Sequence, residues 1–278
     1  MDITSVQRYR RATTRTELAL APGETILAGG TWLMSEPQPG TTGFVDITAM
    51  GWPDLEPRPE GLRIAATCTI ATLVRWAESA PDAGSPAPPP SAWPAVALIP
   101  AAASALLASF KIWNTATVGG NVCRSFAAGA LVSLCVALDG EAEIWMPDGG
   151  ARRLPVAALI TGNGTNALAP GEVLRALWLP ASALRSRARL HKIALAEHGR
   201  SGAVVTGRVD PDGQSVFTVT AATLTPTVLR FSALPDAVAL AHAVGTASGY
   251  YSDPLGAADW RRAVSVELAT RIRTELAA

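Results

Sequence analysis

Residues 25–33 read TILAGGTWL. A strand-like apolar run that closes on two glycines can do one of two things. The glycines take positive φ freely and carry no side chain, so their N–H groups can face an anion; or the pair simply turns the chain. Residues 115–122, TATVGGNV, show a second pair of the same kind, and Gly149-Gly150 makes a third. Composition alone predicts roughly two such pairs among 24 glycines, so a pair by itself carries little weight and its context decides. The third pair falls in PDGG between EAEIW and ARRLPV, which is a hairpin signal, and reads as a turn.

Working outward from the first pair, 15–20 reads as a short helix capped by Thr13 or Thr14. The stretches 25–28, 44–47 and 61–66 read as strands, and 70–78 as a helix behind Thr67 or Thr69. SAPDAGSPAPPPSAWP (79–94) reads as a surface loop, with a proline-rich ligand as the rarer alternative. The Ala- and Leu-rich 95–110 reads as helical, interrupted or started at Pro100. SFAAGALVSLCVAL (125–138) is apolar nearly all round and predicts a buried helix ended by Asp139-Gly140. Beyond Pro180 the pattern predicts three strands (190–196, 203–209, 217–224), with PDGQ as a turn between the last two. Helices over 236–244 and 257–275 follow, and in the latter Trp260, Val264, Leu268 and Ile272 recur at helical spacing.

The chain has 278 residues, enough for two or three packed units. Lys+Arg and Asp+Glu are both 23, and no basic run argues for nucleic acid. No stretch reaches the length of an apolar membrane span, and the N-terminal residues do not read as a signal peptide. Cys68, Cys123 and Cys135 have no CxxC spacing, too few for an iron–sulfur ligand set, and point to a reducing, cytoplasmic setting without a metal. GxSxG, HExxH and Walker patterns are absent. His191, His198 and His242 lack a companion Cys or carboxylate pattern and read as core or surface histidines. Gly162-Asn163-Gly164 lacks the third glycine of a dinucleotide fingerprint. No catalytic residue emerges, so any redox chemistry belongs to a cofactor.

AGGTWL after a strand and TVGGNV before an apolar helix, about 90 residues apart, resemble the FAD-binding medium subunit of the molybdenum hydroxylases. That family includes carbon monoxide dehydrogenase, nicotinate dehydrogenase and xanthine dehydrogenase. ALDGEAEIW, ALITGNGTNALAPGEVLRALWLP, LTPTVLR and DPLGAADWRRAVSVELATRI resemble later segments of the family in the same order.

The resemblance implies an α+β fold of the vanillyl-alcohol-oxidase type. Two small α/β subdomains, 1–57 and 58–178, would clamp FAD, and 179–278 would form a C-terminal three-stranded sheet with helices. It implies cofactor contacts at Ala28, Gly29, Gly30, Thr31, Trp32 and Leu33 in the first loop. Thr117, Gly119, Gly120 and Asn121 carry them in the second, joined by Leu174 and Lys192. It also implies an electron-transfer role between a [2Fe–2S] small subunit and an external acceptor, beside a molybdopterin large subunit.

The chain departs from the family pattern at Trp32, where a small polar residue or Asp is usual. It departs again at Phe126, Ala127 and Ala130, in place of Ser, Pro and Asp. Arg124 either pairs with phosphate in compensation or is a solvated arginine near a helix. A standalone FAD oxidoreductase and a scaffold subunit that has lost FAD are the alternative readings.

Overall fold

The computed structural model describes residues 4–79, 90–105, 110–196 and 199–278. Most of the proline-rich stretch, and His198, therefore lie outside the described residues. Three strands open the chain: β1 (Arg8–Arg11), β2 (Glu24–Leu27) and β3 (Gly43–Asp46). They pair in parallel in the order β1–β3–β2. The predicted 15–20 helix is a single 3-10 turn, Arg15–Leu18. The Glu17 carboxylate accepts from the backbone N–H groups of Thr13 at 2.7 Å and Thr14 at 2.9 Å, which fixes the start of the turn. Ala12, Leu18, Val45 and Ile47 form a small core that Val173 joins from outside the unit.

The middle of the chain supplies β4 (Leu55–Arg58), β5 (Gly61–Ala65), α1 (Ile70–Ala77), α2 (Leu98–Ala103), α3 (Phe110–Trp113), α4 (Val118–Arg124) and α5 (Ala130–Ala137). Then come β6 (Glu141–Trp145), β7 (Ala151–Pro155), α6 (Val156–Leu159), β8 (Ile160–Gly162), β9 (Thr165–Asn166) and β10 (Val173–Pro180). The large sheet is antiparallel with order β4–β5–β10–β6–β7. Its buried residues share the main core with those of α1, α2 and α5, while α4, α6 and α7 pack against its strands. Thr69 caps α1, accepting from the Thr72 N–H at 3.1 Å. The β6–β7 hairpin closes as its sequence predicts, with Met146 N–H donating to Gly150 and Gly149 at φ +89°.

The predicted helix over 125–138 is shorter than its apolar run. Ser125 takes φ +55° after α4, and α5 begins only at Ala130, with all eight of its residues buried. The Ser125 hydroxyl donates to the Val122 carbonyl at 2.9 Å, satisfying it inside the turn. Apolar character thus marked burial correctly and overstated helix length, because a left-handed residue leaves no trace in hydropathy.

After the short α7 (Ala181–Leu184), the C-terminal part forms β11 (Arg187–Ala194), β12 (Ser201–Val209), β13 (Ser215–Thr220) and β14 (Thr227–Phe231), followed by α8 (Ala237–Thr246) and α9 (Ala258–Ala277). The expected three-stranded sheet is corrected to four antiparallel strands in chain order. The missed strand is TVLRF. Pro226 immediately precedes it, and a proline in front of an edge strand blocks no ladder bond, so it interrupts the sequence signal without preventing the strand. Phe217, Leu240, Val244, Leu268 and Ile272 fill the space between this sheet and the two helices. The expected stripe on the last helix is realised at Leu268 and Ile272, and Glu267 pairs with Arg271 one turn on at 2.7 Å.

The four-stranded sheet is tied to α5 by polar bonds. Ser133 and Thr220 share a hydrogen bond at 2.6 Å, and buried Arg208 bonds the Ala137 carbonyl and the carboxylates of Asp139 and Asp210.

Candidate functional site

The two glycine pairs meet through the backbone. A β-carbon added to Gly29 would lie 1.9 Å from the carbonyl oxygen of Thr115. The first loop therefore leans directly on the turn that leads into α4, and only glycine permits the approach. Gly30 takes φ +68°. The loop then winds through residues 31–35, with Met34 N–H donating to the Gly30 carbonyl at 2.8 Å and Ser35 N–H to that of Trp32 at 2.9 Å. Among the described residues, the N–H groups of Gly29, Gly30, Thr31, Trp32 and Leu33 have no partner within the chain. Consecutive free donors on a turned backbone make a concavity that suits an anion.

The second pair is built differently. Gly119 and Gly120 sit in the first turn of α4, a helical environment rather than an open loop. The N–H of Val118 donates to Cys68 at 2.8 Å and that of Gly119 to Ala66 at 3.0 Å. The Gly120 N–H donates to the Thr117 hydroxyl at 3.0 Å. The donors that a helix start usually leaves free are thus consumed inside the protein. A β-carbon on Gly119 would fall 2.5 Å from the Ala66 β-carbon, so this glycine serves packing. Gly120 is exposed, and a β-carbon there would meet only the Thr117 hydroxyl, at 2.9 Å. The Asn121 side-chain oxygen accepts from Leu131 N–H at 3.0 Å and so ties α4 to the start of α5.

Three side chains close the seam between the pairs. Trp32, from the first loop, meets Phe126 edge to face with ring centroids 4.9 Å apart. The Arg124 guanidinium sits over both rings, 4.3 Å from the Trp32 centroid and 3.9 Å from that of Phe126. The Arg124 Nε is buried without a hydrogen-bond partner, no carboxylate pairs with the side chain among the described residues, and burial pushes its pKa down. The turn of the β8–β9 hairpin borders the guanidinium at Gly164. Asn163 in that turn accepts from Ala127 N–H at 3.0 Å. The weak GNG signal therefore belongs to a hairpin that braces the second loop.

The remaining sequence candidates lie elsewhere. Leu174 is buried in the core on the central strand β10. Lys192, on β11, donates through Nζ to the Ser104 carbonyl at 2.6 Å, at the seam between the C-terminal sheet and the end of α2. His191 bonds the Glu275 carboxylate at 2.6 Å. Burial raises the Cys123 and Cys135 thiols to about 12 and pushes Cys68 up as well, so none offers a thiolate near neutral pH. Among the described residues no cluster of His, Cys, Asp or Glu is arranged to hold a metal. No helix among the described residues is long and apolar enough to cross a membrane.

Sequence reasoning missed Arg175. It falls at a bulge where β10 changes register against β6, and its guanidinium lies 4.1 Å from the Trp52 ring centroid and 5.5 Å from that of Trp145. Burial, then the neighbouring Arg63, lowers its pKa to about 10. A single arginine in the hydrophobic run VLRALWLP signals something unusual, but nothing in the run specifies two tryptophans from elsewhere in the chain.

Free N–H donors beside an arginine with no counter-charge fit the diphosphate of a dinucleotide cofactor in chemistry and charge.

A model of the family described as the FAD binding domain in molybdopterin dehydrogenase matches residues 4–182. No curated protein matches the sequence significantly. Among solved structures, a chain of quinoline 2-oxidoreductase from Pseudomonas putida 86 superposes with a TM-score of 0.78 at 18% identity, covering 97% of this chain and 96% of that one. A chain of the carbon monoxide dehydrogenase of Hydrogenophaga pseudoflava lacking the Mo-pyranopterin moiety gives 0.76 and 18%, with the same coverage. A chain of reconstituted CO dehydrogenase from Oligotropha carboxidovorans gives 0.78 and 20%, covering 96% of each chain. At such identities the likeness establishes the fold.

Proposed function

The chain belongs to the family of FAD binding domains in molybdopterin dehydrogenases, and from that premise we propose that it is the FAD-carrying, electron-relaying subunit of such an oxidoreductase. The observation that carries the reading is the run of N–H groups at Gly29–Leu33, unpartnered among the described residues, beside Arg124. In this reading those groups hold the diphosphate of FAD non-covalently. Thr117, Gly119, Gly120 and Asn121 shape the opposite wall, with exposed Gly120 as its point of close approach. Leu174, in the core on β10, and Lys192, bonded to the Ser104 carbonyl, remain assigned to the cofactor on the family resemblance, although neither lies at the seam between the glycine pairs. FAD, when bound, supplies the one- and two-electron redox capacity that the side chains lack. The chain's own task is to bind it, orient it and limit water around it.

The arrangement proposed is of the vanillyl-alcohol-oxidase type, with 1–57 and 58–178 clamping FAD and 179–278 covering one side. The partners proposed are a [2Fe–2S] small subunit as electron donor and a molybdopterin large subunit, in a cytoplasmic assembly. The acceptor is NAD, a quinone, oxygen or another oxidant. Support for an assembly comes from the family, whose description sets this FAD binding domain within a molybdopterin dehydrogenase.

The test is an absorption spectrum of the purified chain before and after incubation with FAD, followed by denaturation. Binding of one FAD that denaturation sets free is expected. A chain that takes up no flavin supports the second reading, a scaffold that has lost FAD, which the Trp32–Phe126 contact across the seam favours. Substrate-driven flavin reduction by the isolated chain would instead select a standalone oxidoreductase.

A further inference from the structure

Trp32 and Phe126 are 94 positions apart, and each replaces a residue type usual in the family. In the fold they are one unit, because both rings hold Arg124. Other buried or half-buried arginines have anionic partners. Arg63 pairs with Glu143 and Glu56, Arg208 with Asp139 and Asp210, and Arg261 with Asp253. Arg175 lacks hydrogen-bond partners for Nε and Nη1, yet it feels the carboxylates of Glu143 and Glu56. Arg124 has no such neighbour among the described residues, and desolvation is the cause of its pKa shift.

A partly buried cation without a counter-charge is costly unless a ligand supplies the anion. The free N–H run that includes Trp32 supplies dipoles but no full positive charge, whereas a diphosphate diester carries a negative charge on each phosphoryl group. The second glycine pair does not make up the deficit, since its N–H groups are already bonded within the protein.

We propose that Arg124, braced by Trp32 and Phe126, is the charge partner of the cofactor's diphosphate, and that the two rings serve to hold the guanidinium rather than to contact the flavin. This rests on the reading that the first glycine loop receives the diphosphate. The ligand chemistry it names is the ADP half of the cofactor. The rings fix the guanidinium plane by cation–π contact and so lower the ordering cost of binding.

The test titrates FAD, and separately ADP, into the full chain and its Arg124→Met, Arg124→Lys and Phe126→Ala variants at two salt concentrations, with melting of the ligand-free proteins as control. Arg124→Met should weaken both ligands at least tenfold and flatten the salt dependence, with ligand-free melting nearly unchanged. Arg124→Lys should recover part of the loss, and Phe126→Ala should lose less than Arg124→Met. Unchanged or tighter binding by Arg124→Met would overturn the proposal and mark the stack as a plug. Equal losses in ligand-free stability would also overturn it, as a folding role. If the natural chain binds ADP through Arg124 but takes no FAD, the FAD reading falls and the diphosphate site stands. If it binds neither, both fall.

Discussion

The two glycine pairs look interchangeable in the sequence and do opposite things with their backbones. Among the described residues, the first leaves five consecutive N–H groups from Gly29 to Leu33 unpartnered, whereas the second spends those of Val118, Gly119 and Gly120 on Cys68, Ala66 and Thr117. The first is a donor surface, and the second is a helix start docked on the body of the protein. A dipeptide motif reports that close approach is needed; what approaches is settled by the neighbours.

The contrast can be broken most directly at the two glycines pressed against backbone or β-carbon neighbours. Gly29→Ala drives a methyl group into the Thr115 carbonyl, and Gly119→Ala drives one into Ala66, both rigid contacts. Each should lower the ligand-free unfolding free energy by about 2–3 kcal/mol, the range for overpacking at a site that cannot relax. Denaturant melts measure it; an unchanged midpoint for Gly29→Ala would mean that the two loops do not touch.

A smaller effect is expected at the helix cap. Thr117→Ala removes the acceptor for Gly120 N–H and should cost about 1 kcal/mol of ligand-free stability. The same substitution releases a donor toward the seam. FAD affinity that rises in Thr117→Ala would sharpen the contrast, showing that the second pair binds poorly because its donors are engaged.

Acid should act on the first pair's side of the molecule. Hydrogen bonds from Thr13 and Thr14 hold the Glu17 carboxyl down at about 2, and those from Arg10 and Ala21 do the same for Glu24, against 4.5 for a free glutamate. Both folded-state values are depressed, so their stabilisation is full above pH 4.5 and is lost as the pH falls from there toward 2. Melting temperature followed against pH should drop over that window, and Glu24→Gln should flatten the drop. An unchanged acid limb in Glu24→Gln would remove this carboxylate from the account.

The smallest change in stability belongs to Gly120→Ala. The position is exposed and only the Thr117 hydroxyl stands in the way, so ligand-free stability should move by less than about 1 kcal/mol. If this face is where the cofactor approaches the second pair, FAD affinity should fall at least tenfold, about 1.4 kcal/mol. Equal affinities for the two proteins would leave the first loop and Arg124 as the whole diphosphate site.

Elements whose signals are local were legible. The strand before Gly29, the helix opening behind Thr67 or Thr69 and the PDGG hairpin all follow from neighbours within a few residues. The edge strand Thr227–Phe231 and the late start of α5 were not legible. An initial proline and a left-handed serine are tolerated there by surroundings that the sequence does not display.

For the site, sequence alone determined the family pattern, both glycine pairs and the departures at Trp32 and Phe126. Only the tertiary structure decided that those departures are one cluster around Arg124, that Gly29 rests on Thr115, and that Gly119 serves packing against Ala66. The physical reason is range. Turn chemistry and periodicity are written in adjacent residues, whereas the partner of an N–H group or a guanidinium is set by which distant segment the folded chain brings beside it.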